Sequence, residues 1–178
     1  METGKQIGRV RGRLREFSMQ LAQRIKAAPL QPTAPLRLAV RIGGDAFLLD
    51  MTSAGEIVST PDIARVPWTR PWFRGLANVR GRLVGVVDLM ELSGRAALPP
   101  EQSRQLLVFD PALTVSAGVL ITRAFGLRNT KELEALDPGM IPGQPWETAR
   151  YRDLDGTLLT ELDLVRLVKA EAFASIGV

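Results

Sequence analysis

Residues 71–92 read PWFRGLANVRGRLVGVVDLMEL. Two short runs of branched apolar residues, 76–79 and 83–87, flank Arg80-Gly81-Arg82. Such runs favour extended chain, and a glycine between them supplies the positive φ that a tight reversal needs. The spacing predicts a β-hairpin with an arginine at its bend. Asp88 ends the second run and Glu91 follows three residues later, the arrangement in which one carboxylate caps a new helix and a second reaches back to it. Asp88 is therefore predicted to be a structural cap, and the stretch to run strand, turn, strand, helix.

The unit recurs. Residues 156–167, GTLLTELDLVRL, laid on 81–92 at an offset of 75 without gaps, match at Gly156, Leu158, Asp163, Leu164 and Leu167. Five identities in twelve positions indicate duplicated hairpin–helix units at about 74–92 and 149–168. Asp163 then stands where Asp88 stands, as a second cap. The two do not read as a catalytic dyad, because Leu89-Met90 and Leu164-Val165 follow them where a proton-sharing pair needs small neighbours open to substrate.

Working outward, 36–42 alternates, meets Gly43-Gly44-Asp45 and resumes over 46–51, which predicts another hairpin. Residues 53–57 read as a helical turn leading to a short strand at 57–60. Pro61, Pro67 and Pro71 frame an irregular segment holding Trp68. Strands are predicted at 104–109 and 113–122, a proline-glycine loop at 138–145, and a helix at 163–173 with Leu164, Leu167 and Val168 inward. Short strands with glycine and proline turns, duplicated once, predict a mainly β body of two small barrels sharing a core. Each half has only roughly 70 residues, so the two stabilise one another.

The first 35 residues differ. Ile7, Val10, Leu14, Phe17 and Leu21 recur at spacings of 3, 4, 3 and 4, with Ile25 one turn on, so an amphipathic helix is predicted over 7–28. Pro29, Pro32 and Pro35 make a stiff linker. Of 23 basic and 19 acidic residues, 1–28 hold seven and two, leaving 16 and 17 elsewhere. The net charge of +4 thus belongs to the arm. The domain reading is a basic helix plus proline-rich linker over 1–35 and a body over 36–178. The apolar stripe is expected to dock on the body or to self-associate; binding a membrane surface or nucleic acid through this helix is the alternative.

Composition removes many chemistries. With no His and no Cys there is no catalytic triad built on them, no zinc site of the usual ligand sets, no thiol chemistry and no phosphohistidine. No glycine-rich loop precedes Lys-Ser or Lys-Thr, and Asp45, Asp50 and Asp62 lack the spacing of a metal loop, so no cofactor and no metal is expected. No apolar run approaches the roughly 20 residues of a membrane span, and no secretory signal is seen. A cytoplasmic protein without membrane insertion, and not an enzyme, is expected. Arg80 reads equally as a solvated turn residue or as an interface cation, whose fork holds carboxylates or carbonyls bidentately. Trp72 and Phe73 read as core.

The aromatic lead-in Trp72-Phe73, the turn Asn78-Val79-Arg80-Gly81 and the exit Val87-Asp88-Leu89 resemble the signature of CheW-type chemosensory coupling proteins. Glu56-Ile57, 24 residues before Arg80, is similar to the family's Glu-Ile element, and residues 116–121 to its glycine-hydrophobic strand. The Trp72-Phe73 entry and the Gly85-Val86-Val87-Asp88-Leu89 exit resemble the PilI branch, which serves twitching motility by type IV pili, more closely still. The resemblance covers about 36–170. It implies two intertwined SH3-like five-stranded β-barrel subdomains, with the amphipathic helix before and a helix after them. It also implies a non-enzymatic adaptor that bridges the methyl-accepting chemoreceptor tip to the regulatory domain of a CheA-type histidine kinase, recruited to membrane-bound receptor arrays. By position, Arg80, Asn78, Glu56, Ile57 and Arg82 would lie at or beside partner contacts. The chain departs from the family at Gly85, Met90 and Thr122-Arg123.

Overall fold

The structure, a computed structural model, describes residues 36–137 and 144–178. The predicted helix over 7–28, the proline linker and most of the 138–145 loop lie outside the described residues.

β1 (Leu36–Ile42) and β2 (Asp45–Asp50) form the first hairpin. β3 (Ala54–Ser59), β4 (Ile63–Ala64), β5 (Phe73–Val79) and β6 (Arg82–Val87) follow, and β6 runs into the one-turn helix α1 (Leu89–Leu92). A 3-10 turn at Pro100–Gln102 leads to β7 (Gln105–Phe109), and another at Pro111–Leu113 to β8 (Ala117–Ile121). β9 (Arg123–Asn129), β10 (Glu134–Ala135), β11 (Glu147–Arg152) and β12 (Leu158–Leu162) precede α2 (Leu164–Lys169) and α3 (Glu171–Ala174).

The body is mainly β, in two sheets. One has the order β10-β11-β12-β2-β1-β9 and the other β3-β7-β8-β6-β5-β4. Reversing the first gives β9-β1-β2-β12-β11-β10, which has the same pattern of pairings as the second, including one parallel pair each, β2 with β12 and β8 with β6. The chain therefore exchanges strands: β1 and β2 pair with the later half, and β7 and β8 with the earlier half. Each sheet has six strands where five were expected, and the additions are the two-residue edge strands β4 and β10.

The duplicated units are β5–β6–α1 and β11–β12–α2. Both first strands carry a bulge, between Phe73 and Gly75 and between Glu147 and Ala149. The Asp88 N–H donates to Trp72 O at 2.8 Å, and the Asp163 N–H to Trp146 O at 2.9 Å. Trp146 thus corresponds to Trp72, 74 positions on, whereas Asp163 corresponds to Asp88, 75 on: the second unit is one residue longer overall, with a longer turn between shorter paired strands.

Period-two alternation buries both faces of β1. Val40 and Ile42 join a large core with Phe47, Leu49, Trp72, Val86, Leu107, Val119 and Trp146. Ala39 faces a smaller cluster with Ala46, Leu48 and Leu159. Three expectations need correction. Residues 53–57 are not a helical turn, because Ala54 and Ile57 pair with Phe109 and Leu107 across β7. The strand expected from 113 starts at Ala117, since Pro111 opens a 3-10 turn that Thr114 closes at φ 58°. The helix expected over 163–173 breaks at Ala170, whose extended backbone (ψ 135°) redirects the chain so that Phe173 stacks on Trp72 at 6.2 Å. β9 and β10 were not foreseen: β9 is mostly half-exposed and bulged against β1, so its apolar pattern is weak.

Candidate functional site

The turn joining β5 to β6 has two central residues, Arg80 and Gly81, at φ 51° and 83°. Positive φ at both is the pattern of a type I′ reversal, which matches the twist of the flanking strands. For arginine the left-handed conformation costs about 1 kcal/mol. Two contacts offset it. Asn78 Oδ1 accepts from the Gly81 N–H at 2.8 Å, closing the loop, and Glu56 Oε2 lies 3.2 Å from Arg80 Nε. Glu56 Oε1 meets Arg82 Nη2 at 3.3 Å.

Glu56 lies on β3, separated from β6 by β7 and β8 in the sheet, so the cluster is brought together by tertiary structure. The Arg80 side chain is 78% exposed, against 27% for Glu56. Exposed pairs of this kind add little stability. What they do is aim two guanidinium groups outward from one buttress. Leu83, 65% exposed, follows them on the same hairpin. The turn thus presents two forked cations beside an apolar side chain, suited to carboxylate or carbonyl groups of a macromolecule. Ile57 turns inward, half-buried against the large core. Of the five residues singled out as partner contacts, the structure joins Arg80, Arg82 and Glu56 directly, Asn78 closes the turn that carries the arginines, and Ile57 packs against the core next to Glu56 in the chain.

Asp88 is wholly buried. Its Oδ1 accepts from the Met90 and Glu91 N–H groups at 3.0 and 3.2 Å, and its Oδ2 from the Leu98 N–H at 2.8 Å and Arg74 Nη2 at 2.7 Å. Every acceptor position is taken by the fold, with no approach for a substrate. Asp163 accepts from the Arg166 N–H at 3.0 Å and lies 3.3 Å from Arg166 Nε.

Several residues escaped the sequence reading. Arg74 ties Asp88 to Glu91, and Arg95 bridges Asp45 at 3.1 Å and buried Glu147 at 2.7 Å. Burial pushes the Glu147 carboxyl above its ordinary range, although Arg95 and Arg150 pull it down. Phe125 has three guanidinium groups, of Arg41, Arg123 and Arg128, within 5.3–5.9 Å of its ring. No local pattern announces such clusters, since their members come from different strands. Trp146 had a signal: one gap in the repeat alignment pairs it with Trp72. Among the described residues no group of three or more acidic side chains is placed to hold a metal, and no helix is long and apolar enough to cross a membrane.

The body is thus two strand-exchanged sheets carrying an exposed arginine turn braced by Glu56. Residues 37–172 match the CheW-like domain, and the chain belongs to that family. It is 30% identical over 123 residues to protein PilI of Pseudomonas aeruginosa, covering 61% of this chain and 68% of that one. It is 25% identical over 133 residues to the chemotaxis protein CheW of Thermotoga maritima, covering 74% and 86%. The fold is similar to that of the scaffolding protein TtCheW from Thermoanaerobacter tengcongensis, with a TM-score of 0.64 at 16% identity over 78% of this chain and 95% of that one.

Proposed function

We propose that this protein is a non-enzymatic adaptor that couples a methyl-accepting chemoreceptor tip to the regulatory domain of a CheA-type histidine kinase, in a pathway controlling type IV pilus twitching motility. The kinship to PilI supports the branch. The observation that carries the site is the buttressed turn: Arg80 is fixed by its backbone and Glu56 yet left largely exposed. Arg80 and Arg82 make the contact, Asn78 and Glu56 hold them in position, and Ile57 fixes Glu56 on its strand. The mechanism is binding geometry alone. One partner shifts the other's equilibrium only by as much as the assembled geometry favours one of its states. Recruitment by the receptor places the protein at the cytoplasmic face of membrane arrays.

The test is titration of the purified protein against the kinase regulatory domain and against the receptor tip. Arg80→Glu is expected to weaken one of the two by at least about tenfold, which corresponds to about 1.4 kcal/mol, with an unchanged melting temperature. Wild-type protein that binds neither partner sinks the adaptor reading. Equal binding by the folded variant sinks the assignment of the turn.

A further inference from the structure

Trp68 is the largest exposed apolar side chain of the body, with 82% of its surface open, and its backbone sits at φ 59°. Both facts run against ordinary packing. A bulky residue in the left-handed region is a genuine outlier that persists only where its surroundings over-determine it. Here they do. The Val178 N–H donates to Trp68 O at 3.1 Å, Thr69 bridges Gly177, and the Arg70 N–H donates to Ile176 O at 2.8 Å. Thr69 Oγ1 closes the turn on Val66 O at 2.8 Å, and Arg70 Nε reaches Ser175 O at 3.2 Å. The 175–178 segment therefore straps the loop, and the loop holds the indole out. Its neighbour in sequence, Trp72, is by contrast buried against Phe173.

The surroundings have a definite charge. Arg65 and Arg70 are exposed and form no ion pair among the described residues, whereas Arg74 is engaged by Asp88 and Glu91. Arg65 and Arg70 line a cavity of ≈ 230 Å³ with Val66, Pro71 and Phe73. Through Arg65 and Arg74 it shares walls with a more apolar cavity of ≈ 400 Å³ lined by Ile63, Leu98, Pro99 and Leu120. An exposed tryptophan whose backbone is strapped, in a loop that also carries Arg65 and Arg70, has the composition of an interface anchor. The loop enters β5 at one end and the Arg80 turn leaves it at the other, so about 20 Å of strand separates them.

We propose that Trp68, Arg65 and Arg70 form a second docking surface, which takes an acidic segment of a partner protein. Carboxylates of that segment pair with Arg65 and Arg70, an apolar side chain enters the neighbouring cavity, and the indole packs over the backbone. The surface extends the adaptor reading by giving the body two contact regions at opposite ends of one strand, although its evidence is the Trp68 geometry itself.

Two arms test it, on the full chain. In the first, a synthetic glutamate-leucine peptide is titrated and tryptophan emission is followed, a readout specific to this surface because Trp72 and Trp146 are buried. That specificity matters because residues 1–28 hold seven basic and two acidic side chains, a charge that attracts acidic peptides as well. A blue shift is expected that weakens at least about tenfold on raising salt from ~50 to ~300 mM and vanishes in the Arg65→Glu/Arg70→Glu double variant, while Arg80→Glu retains it. An unshifted emission, or an equal shift with a lysine-leucine peptide, overturns the proposal. In the second arm, Trp68→Gly, which accepts the positive φ and stays folded, is titrated against the kinase regulatory domain and the receptor tip. It is expected to lose at least about tenfold against one of them and nothing against the other. Unchanged binding to both overturns the proposal. If the wild type binds neither, the adaptor reading falls and the peptide arm decides alone. Concentration-dependent dimers that Trp68→Gly abolishes, or binding to anionic vesicles that it abolishes, also overturn the assignment to an acidic partner, in favour of a second copy or a lipid surface.

Discussion

Asp88 and Asp163 look alike in sequence, each ending a strand and beginning a helix, yet they carry different loads. Asp88 is wholly buried and holds α1, the Leu98 backbone and Arg74 together, whereas Asp163 is 34% exposed and serves its own helix. Asp88→Ala leaves three N–H groups without their acceptor and Arg74 paired with Glu91 alone, and is expected to cost roughly 3–5 kcal/mol. Asp163→Ala removes a cap and is expected to cost about 1 kcal/mol. Urea unfolding of the two variants measures both. Glu147 gives a prediction in pH. Burial raises its pKa more than Arg95 and Arg150 lower it, and Asp45 adds to the rise. Such an acid binds its proton more tightly folded than unfolded. Its stabilising contribution is therefore present below the ordinary value of 4.5 and is lost as pH rises through the folded value. Glu147→Gln should flatten the fall of Tm with pH above 4.5, as thermal melts across a buffer series would show.

The β5–β6 hairpin was legible because both of its strands have local apolar runs and its turn has the one residue type that favours φ above zero at the second central position. Gly85, inside β6, was legible only as a departure from the family pattern. Its N–H donates to Ser116 O at 2.9 Å, and an added Cβ would lie 3.1 Å from Phe73 Cε2. Here the Phe73 ring occupies the room that a larger residue would need. Gly85→Pro loses the hydrogen bond and crowds the ring, so it is expected to destabilise by roughly 1–3 kcal/mol, read as a lowered urea midpoint with little change in slope. The C-terminal helix was read as continuous because its apolar spacing survives the break at Ala170. Packing decides otherwise: only the redirected chain brings Phe173 onto Trp72 and Phe109.

At the scale of the molecule, strand exchange makes the halves interdependent. Each sheet contains strands from both, and their parallel pairs, β2 with β12 and β6 with β8, join residues far apart in the chain. A chain cut in the exposed turn after Glu101 is expected to give two pieces that are unfolded apart and regain the β circular dichroism spectrum when mixed. A spectrum of folded β structure from either piece alone would show that the exchange is dispensable.

The amino-acid sequence encodes what depends on neighbours along the chain. It specified the mainly β character, the hairpins at 36–50 and 73–87, the repeat of the hairpin–helix unit and the absence of histidine and cysteine chemistry, because turn residues, alternation and composition act locally. Tertiary structure alone decided which strands lie side by side, which of two identical aspartates is buried, that Glu56 reaches Arg80 and Arg82, and that Trp68 is held outside while Trp72 is held inside. Those outcomes follow from pairing and packing between segments tens of residues apart, and no property of a short stretch encodes them.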